Sequence, residues 1–240
     1  MKHIGEQKTI SHKPGIGLEG ERSLHASIKR WLALPGDRFE VSVDNFIVDI
    51  VRNDLLIEIQ TKNFSNIRKK LYALIKNHPL QLIYPIPKEK WIVQVGKTDN
   101  EIVNRRISPK KGKLIDLFDE LVRIPDLINE ENFSIAVLMI QEEEIRCRDG
   151  KGSWRRKGVS IKDRKLIDVI EKIEFNHKRD FLEFLPEELD RPFSNKTLAK
   201  CIGIPVYKAR KMTYCLKKMG VIKEVGKNRN ELLFEKGLEM

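Results

Sequence analysis

The sequence predicts an α/β (α+β) protein with a mixed central sheet, followed by a second, mostly α-helical domain. Apolar residues recur at helical spacing near the start of the chain, and runs that alternate like strands come next. The last 80 residues return to helical spacing. The chain has 240 residues, of which 40% are hydrophobic. This is enough apolar material for one large domain or two small ones.

Charge divides the chain near residue 150. The formal net charge is +11. Residues 1–150 hold 24 basic and 22 acidic side chains, whereas residues 151–240 hold 22 basic and 13 acidic ones. We therefore predict a division into a flexible N-terminus (1–17), a first domain (18–148), a basic linker (149–160) and a second domain (161–240).

Several classes of protein are excluded by composition. No stretch approaches the ~18–20 continuous apolar residues of a membrane span, so we expect no membrane partner. The five histidines show no spacing typical of zinc ligands. The three cysteines, Cys147, Cys201 and Cys215, lack CxxC spacing. That pattern favours reduced thiols and a cytoplasmic location.

The first predicted helix covers residues 18–34 and carries an apolar stripe. The stripe contains Leu24, Ile28, Trp31 and Leu32, and Glu21 falls on the same side. A carboxylate that faces a core is costly unless a cation or a hydrogen-bond donor meets it. Glu21 is therefore a candidate for a functional role.

Three predicted strands follow, and two of them carry acidic residues between apolar neighbours. The strands are predicted over 38–43, 46–51 and 55–61, with turns at Asn45 and at Asn53-Asp54. Antiparallel pairing of the second and third strands brings Asp49 close to Glu58, with Gln60 beyond. The pattern then predicts a helix over 66–76, strands over 80–84 and 91–95, a helix over 113–122, and paired strands over 133–140 and 143–148.

This order of elements resembles the αβββαβ core of the PD-(D/E)XK nuclease superfamily, which includes restriction endonucleases and resolvases. The resemblance covers residues 18–95 and depends on Glu21, on Val48-Asp49 and on Glu58-Ile59-Gln60. Two positions depart from the motif. Val48 replaces its proline, and Gln60 replaces its lysine. Lys62 on the same strand, or Lys69 or Lys70 on the next helix, can supply the missing cation.

The resemblance implies a metal-dependent phosphodiesterase that uses Mg²⁺ or Mn²⁺. Carboxylates on neighbouring strands suit such hard cations. The implied metal ligands are Asp49, Glu58, the carbonyl of Ile59 and, as an outer ligand, Glu21. Gln60 would then position the attacking water, with Lys62 as the cation.

The pattern of the second domain predicts a helix, a turn, a second helix and a basic hairpin. A helix is predicted over 163–175 and a short one over 178–185. Ser194 caps the next helix and Gly203 ends it. A further helix runs from Pro205 to Met219, and two short strands over 221–225 and 231–234 follow. Residues 191–223 include nine basic residues and no acidic one.

Over about sixty residues this pattern resembles a winged helix-turn-helix domain, in which the second helix enters the major groove of DNA. The resemblance implies nucleic-acid contacts along that helix and at the tip of the hairpin. The implied contact residues are Tyr207, Lys208, Arg210, Lys211, Tyr214, Lys218, Lys227 and Arg229. Lysine predominates among them, which favours contact with phosphates over reading of bases.

Together these features predict an endonuclease that acts on duplex or branched DNA and is targeted by its second domain. Many nucleases of the resembled fold cut both strands as dimers, so the resemblance also allows a homodimer. Three alternatives stay open. They are a non-enzymatic DNA-binding regulator with a degenerate nuclease scaffold, an RNA-directed nuclease and a protein-interaction adaptor.

Overall fold

The computed structural model describes residues 24–96 and 101–237 and contains two sheets. The first part of the chain forms α1 (Leu24–Leu32), β1 (Arg38–Val43), β2 (Phe46–Arg52), β3 (Leu55–Ile59), α2 (Phe64–Leu74), β4 (Leu80–Val95), β5 (Ile102–Ile107), α3 (Phe118–Leu121), β6 (Phe133–Arg148) and β7 (Val159–Phe175). The remainder forms β8 (Phe193–Ser194), α4 (Asn195–Cys201), α5 (Val206–Lys218), β9 (Ile222–Asn228) and β10 (Glu231–Lys236). Short 3-10 helices lie at Leu114–Leu117, Leu127–Asn129, Trp154–Arg156 and Lys178–Phe184.

The central sheet has seven strands and is mixed, as predicted. Its order is β1-β2-β3-β4-β6-β7, and β5 pairs with the second half of β4. β4 runs parallel to both β3 and β6, whereas the other pairs are antiparallel. The predicted short strands around residues 80–95 and 133–148 are two continuous strands of 16 residues each. The class of the protein is therefore α+β.

One predicted helix is a strand. Residues 163–175 have apolar side chains at helical spacing, yet they belong to β7, which pairs antiparallel with β6. The register of β7 slips at Lys162, Ile167 and Ile170, three residues that the pairing of β7 with β6 skips. Such bulges interrupt the two-residue alternation of a strand. The interrupted pattern imitates a helical period, which explains the error.

The basic stretch predicted as a linker is the turn of the β6–β7 hairpin. Because β7 lies in the central sheet, residues 161–175 belong to the first structural unit rather than to the second. The sheet then passes directly into the 3-10 helix Lys178–Phe184 and the C-terminal unit.

Hydrophobic cores cover both faces of the sheet. On one face α1 buries Leu24, Ile28 and Leu32. On the other face a larger core extends from α2 through α3 into the C-terminal unit. Phe118 of α3 and Phe175 of β7 both pack on Phe181, at ring-centre distances of 6.2 and 4.6 Å. The C-terminal unit therefore shares its core with the sheet.

The C-terminal unit has the predicted order of helices and hairpin. The hydroxyl of Ser194 accepts hydrogen bonds from the backbone N–H groups of Lys196 and Thr197, and so caps α4. Gly203 and Gly220 follow α4 and α5 at positive φ, which glycine adopts at little cost. β8, β10 and β9 form a three-stranded sheet behind the helices. Across residues 24–96 and 101–237, no helix is long and apolar enough to cross a membrane.

Candidate active site and nucleic-acid interface

The two predicted carboxylates lie one residue beyond the last ladder pair of β2 and β3, where these strands separate. Ladder pairing joins Ile50 to Ile57, and the same register continued would place Asp49 opposite Glu58. Instead, the backbone N–H of Ile59 donates to Oδ2 of Asp49 at 2.9 Å. The side chain of Asp49 thus satisfies a β3 donor beyond the last ladder pair, and its carboxylate lies in the gap between the strands.

Helix α1 supplies the other partners of Asp49. Nε2 of His25 lies 3.1 Å from Oδ2, and Nζ of Lys29 lies 3.8 Å from Oδ1. Burial alone would raise the pKa of Asp49, but the hydrogen bonds from His25 and the Ile59 N–H outweigh it and lower that pKa below its ordinary value. Asp49 is therefore held as a carboxylate.

Glu58 is buried on the side of the sheet covered by α2. Only 3% of its surface is exposed. Nζ of Lys70 lies 2.5 Å from Oε1 and also donates to the carbonyl oxygen of Ile47 at 2.5 Å. Oε1 itself accepts no hydrogen bond of good geometry within the described residues. Burial raises the pKa of Glu58, and the charge of Asp49 adds to this, although Lys70 opposes it.

This arrangement combines two acids with different proton affinities and one fixed cation. The environments shift the pKa of Asp49 downward and that of Glu58 upward. Neighbouring carboxyl groups whose pKa values are driven apart are typical of sites that perform acid–base or electrostatic catalysis. Lys70 is the source of positive charge closest to Glu58.

Gln60 and Lys62 lie beyond the end of β3 at Ile59, and not on the strand that the sequence predicted for them. Nε2 of Gln60 donates to the backbone carbonyls of Lys62 and Asn63, which closes the turn into α2. Its amide is thus engaged in local structure. Lys62 is exposed and lines a groove beside His25. Glu21 lies outside the described residues.

The oxygen atoms of this site are of the chemical type that binds a small divalent cation. Asp49 and Glu58 offer hard carboxylate oxygens, one of them buried without a well-formed hydrogen bond. Mg²⁺ is commonly held through one or two carboxylates and several waters. A cluster of three or more His, Cys, Asp or Glu side chains suited to a metal is absent from the described part of the chain. A site here would therefore depend on Asp49 and Glu58, with the Ile59 carbonyl adjacent.

Helix α5 presents only part of its predicted contact surface to solvent. Tyr207, Arg210, Tyr214 and Lys218 are exposed. The other two predicted contacts are turned toward the sheet unit. Lys208 forms ion pairs with Asp116 and Asp119, and Lys211 lies 2.8 Å from Asp119. The predicted exposure of Lys208 was therefore wrong, whereas the side chain of Lys211 stays 39% exposed beside Asp119.

The tip of the β9–β10 hairpin is exposed, and both Lys227 and Arg229 lie there. Beside it, Arg210 and Arg229 line one shallow depression with Lys196. Glu231 pairs with Lys196 at its edge. The basic surface of this unit is thus formed by α5 and the hairpin together.

Sequence reasoning did not identify Lys29 as a partner of the acidic site. Lys29 stands four residues after His25 on α1, so both face the same strands. That spacing is visible in the sequence. The position of Asp49 between them is not, because it depends on how α1 crosses the sheet.

Comparisons with known proteins identify one family and one relative. The model of a family described as "Domain of unknown function (DUF8091)" matches residues 22–176. This match ends one residue after β7. An "Uncharacterized protein" of Treponema pallidum (strain Nichols) is 31% identical over 181 residues, which are 75% of this chain and 72% of the relative. No solved structure matches the chain significantly.

Proposed function

The chain belongs to the DUF8091 family, and we propose that it is a metal-dependent phosphodiesterase that cleaves DNA as an endonuclease. The observation that carries this proposal is that Asp49 and the ion pair of Glu58 with Lys70 both lie where β2 and β3 separate, with the charge of Asp49 acting on Glu58. Two carboxylates and a lysine are the residue types of the PD-(D/E)XK motif. In this chain the lysine comes from α2 instead of from the strand, where Gln60 stands.

In this proposal Asp49 and Glu58 hold Mg²⁺ or Mn²⁺, and the Ile59 carbonyl is a further oxygen donor. A bound divalent ion would activate water and neutralise charge on the phosphate. Lys70 stabilises negative charge that develops on the scissile phosphate, since its ammonium is fixed between Ile47 and Glu58. His25 and the Ile59 N–H keep Asp49 ionised and oriented.

The C-terminal unit delivers the enzyme to DNA in the manner of a winged helix. Support comes from the order α4, α5 and the β9–β10 hairpin, and from the exposed stripe of Tyr207, Arg210, Tyr214 and Lys218. Side chains at these positions lie three to four residues apart, so they share one face of α5. Lys227 and Arg229 would reach neighbouring phosphates. A cytoplasmic location and a homodimer stay predictions.

The test is cleavage of supercoiled and linear DNA by the purified chain with Mg²⁺, Mn²⁺ or EDTA. We expect metal-dependent cleavage that falls by about 100-fold or more in Asp49→Asn and Glu58→Gln, the usual scale for loss of electrostatic catalysis. Asp54→Asn is the matched control because Asp54 is exposed at the opposite end of the same strands. Equal rates in Asp54→Asn and Asp49→Asn would contradict the assigned site.

One observation favours a non-enzymatic DNA-binding regulator as the second candidate. Three basic groups, His25, Lys29 and Lys70, already surround the two carboxylates. Such a site is electrically compensated without a metal. Calorimetric titration of the full chain with Mn²⁺ separates the candidates. Binding that Asp49→Asn abolishes supports the enzyme, whereas DNA binding without any metal uptake supports the regulator. Competition between duplex DNA and structured RNA tests the RNA-directed alternative.

A further inference from the structure

A groove of about 570 Å³ lies beside the candidate active site, between α1, the β3–α2 turn and the β6–β7 hairpin. Its lining is rich in basic side chains. These are Lys62, Lys151, Arg156 and Arg164, and Asp163 is the acidic residue among the lining residues. Arg164 is partly compensated, since its Nε lies 3.4 Å from Glu144. Lys62, Lys151 and Arg156 leave the groove with excess positive charge.

The groove leads to the acidic site through one side chain. His25 lines the groove, and its Nε2 lies 3.1 Å from Oδ2 of Asp49. A chain of phosphates that follows the groove would therefore pass within one residue of the candidate metal ligands. This continuity is why we assign the groove to a nucleic-acid strand and not to a small anion.

The tip of the β6–β7 hairpin carries the most exposed large hydrophobic side chain of the described residues. Trp154 is 83% exposed. Its ring is approached by the guanidinium of Arg155, 5.6 Å from the ring centre. An aromatic ring left in water beside cations is typical of surfaces on which nucleic-acid bases stack.

Local hydrogen bonds, and not packing against the core, shape this tip. The N–H of Gly152 donates to the carbonyl of Gly158, and the N–H of Gly158 donates to that of Ser153. The hydroxyl of Ser160 donates to Asp149 at 2.8 Å. At Gly152 a Cβ atom would meet the carbonyl oxygen of Val159 at 1.9 Å, so only glycine fits. The turn is thus built to hold Trp154 outward.

We propose that this hairpin tip and groove bind a single-stranded stretch of DNA, with Trp154 stacked on an unpaired base. The choice of DNA rests on the proposed function. The choice of a single strand rests on Trp154, because bases in a duplex are already stacked and offer no free face to an exposed ring. The substrate class is therefore DNA with an unpaired segment near the cleavage position.

The experiment measures binding of the full chain in EDTA, where cleavage cannot occur. The probe is fluorescein-labelled oligo-dT of about 15 nucleotides, near the site size of one single-strand module, and a blunt duplex of equal length is compared. We expect Trp154→Ala to weaken oligo-dT binding by roughly five- to 150-fold, the range for loss of one stacked base. Trp154→Phe should keep most of the affinity, and duplex binding should not change.

The matched control is Trp31→Ala, since Trp31 is also exposed, at 46%, and is not among the groove-lining residues. A second arm replaces Lys151 and Arg156 by Gln. This double variant should make the fall of log K with log salt less steep by about 1.4, at ~0.7 per single-strand phosphate. Lys76→Gln, an exposed lysine after α2, controls for loss of charge.

Three outcomes would overturn the proposal. The first is equal oligo-dT affinity in Trp154→Ala and Trp31→Ala, and the second is an unchanged salt slope in the double variant. The third comes from a parallel binding assay with anionic phosphatidylserine vesicles, if Trp154→Ala weakens binding to the vesicles but not to oligo-dT. None of these measurements depends on cleavage. Stacking without any metal-dependent cleavage would sink the proposed enzyme alone, and oligo-dT binding that ignores Trp154 in a chain that cleaves DNA would sink this inference alone.

Discussion

Lys70 of α2 lies with its Nζ 2.5 Å from Oε1 of Glu58 on β3 and 2.5 Å from the carbonyl oxygen of Ile47 on β2. One helix lysine thus links the two strands at the point where their ladder ends. The positive charge beside Glu58 comes from a residue ten positions beyond the motif glutamine. Lys70 accordingly has both a structural and a proposed chemical role, and these can be separated.

The structural role predicts a stability loss that depends on pH. Lys70→Met leaves Glu58 buried without its cation, so the free energy of unfolding should fall by about 3 kcal/mol at neutral pH. Burial already raises the pKa of Glu58, and loss of Lys70 removes a group that lowers it. The folded variant then binds a proton that the unfolded chain releases above ~4.5. Its stability should therefore recover as the pH falls toward that value.

Urea unfolding near neutral and at acidic pH measures this effect. Lys70→Met combined with Glu58→Gln should regain part of the loss, since no buried charge is left unpaired. Lys76→Met is the control and should change stability little. A deficit in Lys70→Met that is independent of pH would contradict the ion pair.

The proposed chemical role predicts different kinetic effects for the two lysines near the site. Lys70→Gln should lower kcat by about 100-fold, because the fixed ammonium acts on charge in the transition state. Lys62→Gln should chiefly raise KM, since Lys62 is exposed in the groove, where it would contact the phosphates of a bound strand. Steady-state cleavage assays give both constants. If Lys62→Gln, and not Lys70→Gln, lowers kcat, Lys62 is the catalytic cation.

Binding of duplex DNA should distinguish the two sides of α5. Arg210 is exposed, whereas Lys208 is held by Asp116 and Asp119 of the sheet unit. Arg210→Ala should make the fall of log K for duplex binding with log salt less steep by about 0.9, the value for one phosphate contact. Lys208→Ala should leave the slope nearly unchanged. Anisotropy titrations at several salt concentrations measure both, and a larger effect of Lys208→Ala would show that its ion pair opens on binding.

The ion pair of Asp37 with Arg52 predicts a second dependence of stability on pH, of opposite sign, because here stability is lost as the pH falls. Nε and a terminal nitrogen of Arg52 donate to the two oxygens of Asp37 at 2.9 and 2.8 Å. These bonds lower the pKa of Asp37 below 3.8. Their contribution is complete above pH 3.8 and is lost as pH falls through the lowered value.

Asp37→Asn should therefore cost about 1–2 kcal/mol at neutral pH, as for a charge-assisted pair. The difference from the unmodified chain should shrink in strong acid. Thermal unfolding across pH, with Asp54→Asn as the exposed control, provides the test. A constant difference at all pH values would mean that the charge of Asp37 is not what stabilises the contact.

The three thiols should differ in reactivity. Cys147 and Cys215 are buried, and Cys201 is exposed. Burial raises the pKa of Cys215 to about 12, so little thiolate forms at about pH 8. Ellman's reagent should titrate one thiol quickly in the folded chain and three after denaturation. Cys201→Ser should abolish the fast phase, and a persisting fast phase would contradict the burial of the other two.

Local patterns in the sequence predicted much of the architecture because they depend on neighbouring residues. The order of α1, the three following strands and α2 was correct, and so was the cap at Ser194. The register of β2 against β3 was also predicted, since a two-residue turn sets it, and the ladder ends one residue before Asp49 and Glu58. β7 was missed because bulges altered its alternation.

The sequence by itself determined the types of residue available to this protein. It placed two carboxylates on adjacent strands, a basic C-terminal part and a tryptophan among basic residues. Only the tertiary structure decided which of these meet. Lys208 contacts Asp116 across 92 positions of the chain, and the hairpin tip comes to lie beside a groove that reaches His25. Such contacts depend on how helices and strands pack, and that packing is set by the shared cores rather than by any local period.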